Sequence, residues 1–79
     1  MVIELNQLRS GQSGVVRGIA GGFGIVGRLE SLGLRPGKLV TKISSQFLAG
    51  PVTVMVDGRE IALGRGMAAK IQVEVLSQR

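Results

Sequence analysis

The sequence of 79 residues contains neither cysteine nor histidine. Without cysteine the chain can form no disulfide, and it offers no thiolate as a nucleophile or a metal ligand. Without histidine it lacks the usual general base of enzymes and the most common ligand of transition metals. The five carboxylates are spread over separate segments of the chain. The sequence therefore predicts a protein that is not an enzyme and that holds no cofactor and no metal in a site of its own.

Aromatic residues are scarce as well, because Phe23 and Phe47 are the only two. The stacking surface of single-strand binders and the groove that SH3 modules offer to Pro-rich peptides both need more aromatic side chains. No apolar run approaches the ~20 residues of a membrane-spanning helix. The N-terminus also lacks the basic region of a secretory signal. These absences predict a cytoplasmic protein, and the chain length predicts a single domain over residues 1–79.

Positive charge is abundant, with ten Lys and Arg against five Asp and Glu, a formal net charge of +5. The basic residues are scattered along the chain and form no run. Their functional interpretation is attraction to an acidic protein surface or to RNA phosphates. Their plain interpretation is solubility, because a net charge of this size keeps small domains in solution.

Glycine is the other abundant residue, and residues 22–27, GFGIVG, match the dinucleotide-binding pattern G-x-G-x-x-G. The rest of such a site is missing, because no acidic residue follows at about 20 positions and the later strands form a hairpin. We therefore predict no direct nucleotide binding. Gly21, Gly22 and Gly24 are expected to turn the chain sharply into a helix, and Gly27 to let that helix lie close to the sheet.

Local patterns divide the chain into short elements. Apolar alternation predicts strands at 15–19, 39–44, 52–56, 59–63 and 71–75. Ile25, Leu29 and Leu32 recur at helical spacing and predict one helix at 23–32, which Gly33 should end in a left-handed conformation with Leu34 packed back on the last turn. Pro36-Gly37 predicts a type II turn, and Asp57-Gly58 predicts a two-residue hairpin.

These elements predict an all-β fold, a small β-barrel with one short helix inserted after the first strand and a helical turn at 64–70 before the last strand. None of the three lysines lies in an evidently apolar site of the predicted strands.

Three segments carry a resemblance to a known family. They are LNQLRSGQSGVVRGIAGG at 5–22, RLESLGLRPG at 28–37 and GPVTVMVDGREIALGRGMAAKI at 50–71. In this order and spacing they resemble the FeoA family, the small cytosolic component of ferrous iron transport in bacteria and archaea. The resemblance implies an SH3-like barrel, a non-enzymatic accessory role and a family-level association with transition metal ions. It also implies a partner, FeoB, a polytopic membrane transporter with a cytosolic GTP-binding domain.

The surface expected to dock on that partner joins the predicted helix to the turn at 64–70. Its residues are Phe23, Ile25, Arg28, Leu29, Leu32, Arg65, Met67 and Lys70. Met67 has a second interpretation as core filler, since methionine adapts to irregular gaps. The alternative function is an RNA-binding SH3-like barrel of the translation-factor type, which the segment GQSGVVRGIAGG at 11–22 and the positive charge favour.

Overall fold

The computed structural model of the chain describes residues 1–45 and 50–76. The strands are β1 (Val2–Glu4), β2 (Ser13–Ile19), β3 (Leu39–Ser45), β4 (Val52–Val56), β5 (Arg59–Leu63) and β6 (Ile71–Val75). Helix α1 (Phe23–Ser31) lies between β2 and β3, and the single-turn helix α2 (Arg65–Ala68) lies between β5 and β6. A 3-10 turn (Leu5–Gln7) follows β1. The prediction of an all-β fold with a helix and a helical turn at these places is confirmed.

The strands form one antiparallel sheet in the order β1-β6-β2-β3-β4-β5. One bulge shifts the register between Val16 and Gly18 of β2, and another lies between Lys42 and Ser44 of β3. Bulges bend strands and increase their twist, which helps a small sheet to curl around a core. Strand β1 was not predicted, because its three residues are too few to show an alternation.

The core lies on the inner face of this sheet and under α1 and α2. Every inward position of β4 is buried, and Val, Ile and Leu fill most of the buried positions of the other strands. The buried residues are Leu5, Leu8, Val16, Leu29, Leu34, Val40, Val52, Val54, Val56, Leu63, Ala68, Ile71 and Val73. Helix α1 therefore contributes one fully buried side chain, Leu29, and its N-terminal half contacts the core through the partly buried Ile25.

The C-terminus of α1 is capped as the sequence predicts. Gly33 has a φ of +96°, and its N–H donates to the carbonyl of Glu30 at 2.9 Å. The N–H of Leu34 donates to the carbonyl of Leu29 at 3.0 Å, and Leu34 is fully buried. These two bonds and the buried leucine form a Schellman motif, which satisfies carbonyls that the helix leaves open.

The predicted turns are confirmed too. Gly37 has a φ of +92°, and the N–H of Lys38 donates to the carbonyl of Arg35 at 3.1 Å, as a type II turn requires. Asp57 and Gly58 have φ values of 52° and 77°, the pair of positive angles that joins β4 to β5 with the right twist.

The glycines before α1 and inside it behave only partly as expected. Gly21 has a φ of +124° and makes the sharp turn that leads into the helix. The expectation for Gly27 is wrong, because a Cβ at this position would meet no described atom within 4 Å. Gly27 faces away from the sheet and is exposed, so close packing inside the protein does not account for it.

Candidate docking surface

One face of α1 is open to solvent. Phe23, its first residue, is 97% exposed, which is rare for a large aromatic side chain in a small domain. Gly24, Gly27, Arg28 and Ser31 are exposed on the same face. Two of the predicted docking residues, Phe23 and Arg28, therefore lie where another molecule could reach them.

The opposite face of α1 packs on the core. Leu29 is fully buried, and Ile25 and Leu32 are half-buried against the same core cluster. Leu29 was predicted to belong to the docking surface, and its burial corrects this: the side chain faces the interior because it continues the apolar stripe of the helix. The sequence alone did not separate the exposed members of that stripe from the buried ones.

The end of the turn at 64–70 lies beside the residues that precede α1. The N–H of Ala20 donates to the carbonyl of Lys70 at 2.7 Å, and Ile19 of β2 pairs with Ile71 of β6. Within the turn Arg65 is exposed, whereas Met67 and Lys70 are half-buried and Met67 packs against the core. The turn at 64–70 therefore ends beside the residues that lead into α1, and Met67 serves in part as core filler.

We call the solvent-accessible set the docking surface; it consists of Phe23, Ile25, Arg28, Leu32, Arg65, Met67 and Lys70. The C-terminal end of α1 extends it with two more arginines. Arg35 donates to the carbonyl of Glu30 at 3.3 Å, and Arg59 lies 3.5 Å from the carbonyl of Leu32. Cations are favoured at this end of a helix because its open carbonyls carry partial negative charge.

The basic residues of this region are not neutralised by acidic side chains of the described chain. The side-chain ion pairs in residues 1–45 and 50–76 are Arg17–Glu74 at 3.9 Å and Lys38–Asp57 at 3.0 Å. Arg28, Arg65 and Lys70 take part in neither of them. The docking surface therefore combines an exposed aromatic ring with positive charge that is free to attract an acidic partner.

Lys42 is a buried charged residue, which the sequence did not predict. Its side chain is 5% exposed and lies on the inner face of β3. The Nζ donates to the carbonyls of Asn6 at 3.0 Å and Leu8 at 2.7 Å, which fastens the 3-10 turn to the sheet. Both faces of β3 carry apolar residues, so the alternation did not show which face is buried. The presence of Lys42 on the same face as Val40 argued against burial of that face.

The surroundings of Lys42 make its charge costly. Burial lowers the pKa of Lys42 below the ordinary 10.5, and the nearby positive charge of Arg65 lowers it further. The side-chain oxygen of Asn6 is also buried, and it has no hydrogen-bond partner among the described residues. Because α2 packs on the 3-10 turn, this polar cluster lies directly behind one half of the docking surface.

We expect the stability of the protein to rise with pH relative to a Lys42→Met variant. The folded chain has the lower Lys42 pKa, so between that value and 10.5 the unfolded chain holds more protons and unfolding becomes less favourable as pH rises. Urea unfolding of both proteins, from neutral pH to the ordinary lysine pKa, measures the difference. Lys38 and Lys70 are present in both proteins, so the comparison isolates the effect of Lys42. Two parallel stability curves would contradict the expectation.

The described part of the chain offers little for a small ligand. It contains no group of three or more Asp, Glu, His or Cys side chains that could hold a metal ion. No pocket opens on its surface. None of its helices is long and apolar enough to cross a membrane.

Comparison with known proteins agrees on one family. Residues 3–75 match the family model of the FeoA domain. A protein of Methanocaldococcus jannaschii, a candidate Fe(2+) transport protein A, is 39% identical over 66 residues, which cover 84% of this chain and 78% of that protein.

Solved structures share the fold. A crystal structure of an iron uptake regulatory protein, FeoA, superposes with a TM-score of 0.91 at 34% identity and covers 96% of this chain and 100% of its own. The solution structure of FeoA from Chlorobium tepidum has a TM-score of 0.86 at 27% identity and covers 95% of this chain and 71% of its own. The SH3-like barrel that the sequence predicts is confirmed by these matches.

Proposed function

Since the chain belongs to the FeoA family of ferrous iron transport accessory proteins, we propose that it is a cytoplasmic protein that docks on a FeoB-type membrane transporter and adjusts its uptake of Fe(II). The observation that carries the proposal is the open face of α1, where Phe23 and Arg28 are both exposed and Arg28 has no acidic partner among the described residues. An exposed aromatic ring beside positive charge is typical of a surface that binds another protein.

In this function the protein has no catalytic role. The chain has no histidine or cysteine, and its described residues hold no cluster that could bind the transported ion. Any nucleotide in the assembly is bound by the GTP-binding domain of the transporter. The small protein contributes contacts, which change the relative stability of the transporter's conformations only if they differ between those conformations.

We expect the protein to bind the full-length, detergent-solubilised FeoB-type transporter encoded in the same genome. Because the docking surface is basic, affinity should fall as salt rises from low to physiological concentration, mainly through slower association. Titration calorimetry at two salt concentrations, with and without a GTP analogue, measures this. An Arg9→Glu variant controls for net charge, since Arg9 is exposed and lies outside the docking surface.

The absence of binding at low salt under both nucleotide conditions would sink the proposal. RNA binding is the competing result. Binding to RNA phosphates weakens by orders of magnitude between about 50 and 200 mM salt when several phosphates are contacted. A random-sequence single-stranded RNA of about 20 nucleotides, titrated under the same conditions, should show no such binding if the transporter is the partner.

A further inference from the structure

The outward face of α1 has small residues in its middle and large side chains on both sides. At 100° per residue, Gly24, Gly27 and Ser31 occupy the middle of the exposed arc, with Phe23 on one side and Arg28 on the other. A Cβ at either glycine would meet no described atom within 4 Å. The Ser31 hydroxyl donates to the carbonyl of Arg28 at 2.7 Å and so lies back on its own helix. We call these five residues the helix notch.

Folding does not account for the helix notch. Glycine inside a helix is destabilising by about 0.5–1 kcal/mol relative to alanine, and α1 contains two of them at positions with ordinary helical φ. Neither allows a close approach within the described chain, and Phe23 buries almost none of its ring. The fold therefore carries features that cost stability and that only contact with another molecule would use.

The charge around the helix notch selects the kind of partner. Arg28 forms one wall, and Arg35 and Arg59 stand at the C-terminal end of the same helix. Glu30 is the acidic residue of α1. A second copy of this chain, which also carries +5, would place arginine against arginine. An acidic segment would instead gain ion pairs with side chains that have none within the described residues.

The backbone of α1 indicates which secondary structure the partner segment has. The N–H and carbonyl groups of a helix interior are already bonded within the helix, so an extended strand would find no backbone partners in the notch. A helix needs none, because its own backbone is satisfied. Because Gly24 and Gly27 carry no side chain, the axis of a partner helix could approach the axis of α1 to about 8 Å, the short end of the usual 8–10 Å range.

We propose that the helix notch receives an acidic amphipathic helix, which sets an apolar side chain against Phe23 and directs Asp or Glu toward Arg28. The inference rests on the proposed function and places this acidic helix in the transporter. If a partner helix packs over Gly24 and Gly27, a larger side chain at either position would keep that helix away and weaken the complex. The same substitution would stabilise the isolated protein, because glycine is a poor helix former.

The first test adds bulk at Gly27. Gly27→Ala and Gly27→Leu should both unfold at higher urea concentration than the wild-type protein, while the Kd for the full-length transporter rises about tenfold for alanine and further for leucine. Ala62→Leu is the matched control, because Ala62 is exposed on β5. It should leave the Kd unchanged. Full wild-type affinity in both Gly27 variants would overturn the inference while the proposed function stands.

The second test reverses charge. Arg28→Glu and Arg9→Glu change the net charge equally, and both residues are exposed. We expect Arg28→Glu to raise the Kd at least about tenfold more than Arg9→Glu, because only Arg28 would meet a carboxylate of the partner. Equal losses would mean that bulk charge alone attracts the partner, and the inference would fall.

The third test identifies the occupant. A photo-cross-linking residue, p-benzoylphenylalanine, replaces Phe23, and the complex with the transporter is irradiated and analysed by mass spectrometry. The expected cross-link lies on a helical segment with Asp or Glu spaced three or four residues apart. A cross-link to a loop, to a basic segment or to a second copy of this chain overturns the inference. A cross-link to RNA in whole cells overturns it and the proposed function together. If the wild-type protein does not bind the transporter, the proposed function and this inference are both overturned.

Discussion

Leu29→Ala should destabilise the protein strongly. Leu29 is the fully buried residue of α1, and it packs in the core cluster under the sheet. Truncating a buried leucine costs about 2–5 kcal/mol through lost burial and the cavity that remains. At about 0.05–0.15 kcal/mol per residue, a chain of 79 residues has roughly 4–12 kcal/mol of total stability. We expect the midpoint of thermal unfolding, followed by circular dichroism, to fall by roughly 10 °C or more.

Phe23→Ala is the matched control for that experiment. It removes a larger side chain from the same helix, but one that is 97% exposed. The free energy of unfolding should change by no more than about 0.5 kcal/mol, as for surface substitutions in general. For partner binding the order reverses: Phe23→Ala should weaken it about 30-fold, the size of a 2 kcal/mol hot spot. If Phe23→Ala destabilised the fold as much as Leu29→Ala, the assignment of the two faces of α1 would be wrong.

Gly14→Ala should be the most damaging of the glycine-to-alanine substitutions in the sheet. Gly14 sits in β2 between β3 and β6, opposite Val40 and Val75. A Cβ there would lie 2.9 Å from the carbonyl oxygen of Glu74 and 3.2 Å from the Cβ of Val73. One of these is backbone, so the strands must separate. We expect a loss of about 1–3 kcal/mol, as for overpacked cores.

Gly27→Ala is the same substitution, but we expect it to stabilise the protein. Its Cβ would meet no described atom within 4 Å, and alanine is the better helix former. Urea unfolding of the two variants beside the wild-type protein should place Gly14→Ala below it and Gly27→Ala above it by about 0.5–1 kcal/mol. Two variants of equal stability would mean that the packing around Gly14 relaxes without cost.

Local sequence was sufficient wherever one or two residues determine the backbone. Gly33 with Leu34 fixed the end of α1, Pro36-Gly37 fixed a type II turn, and Asp57-Gly58 fixed a hairpin, because each needs a φ that few residues adopt. Alternation located the other strands within two residues of their observed ends. These signals are read from neighbours in the chain and need no knowledge of tertiary contacts.

What escaped prediction depends on distant parts of the chain. Strand β1 exists because β6 lies beside it, and three residues show no pattern of their own. The burial of Leu29 and the exposure of Phe23 follow from how α1 rests on the core, whereas spacing showed only that an apolar stripe exists. Lys42 escaped because its carbonyl partners lie more than 30 residues away in the sequence. A docking surface is harder still, since its partner is a different molecule.

The lysine inside the barrel has a consequence for how β3 finds its place. Both faces of this strand carry apolar residues, with Val40 on one and Leu39 on the other, so hydrophobicity alone discriminates weakly between the native pairing and a slip of one residue. A slip would bury Leu39, which is 53% exposed in the native fold, and turn Lys42 outward. The carbonyls of Asn6 and Leu8 would then lose their donor. The two hydrogen bonds of Lys42 are therefore made only in the native register of β3, and that register also holds the N-terminal segment against the sheet.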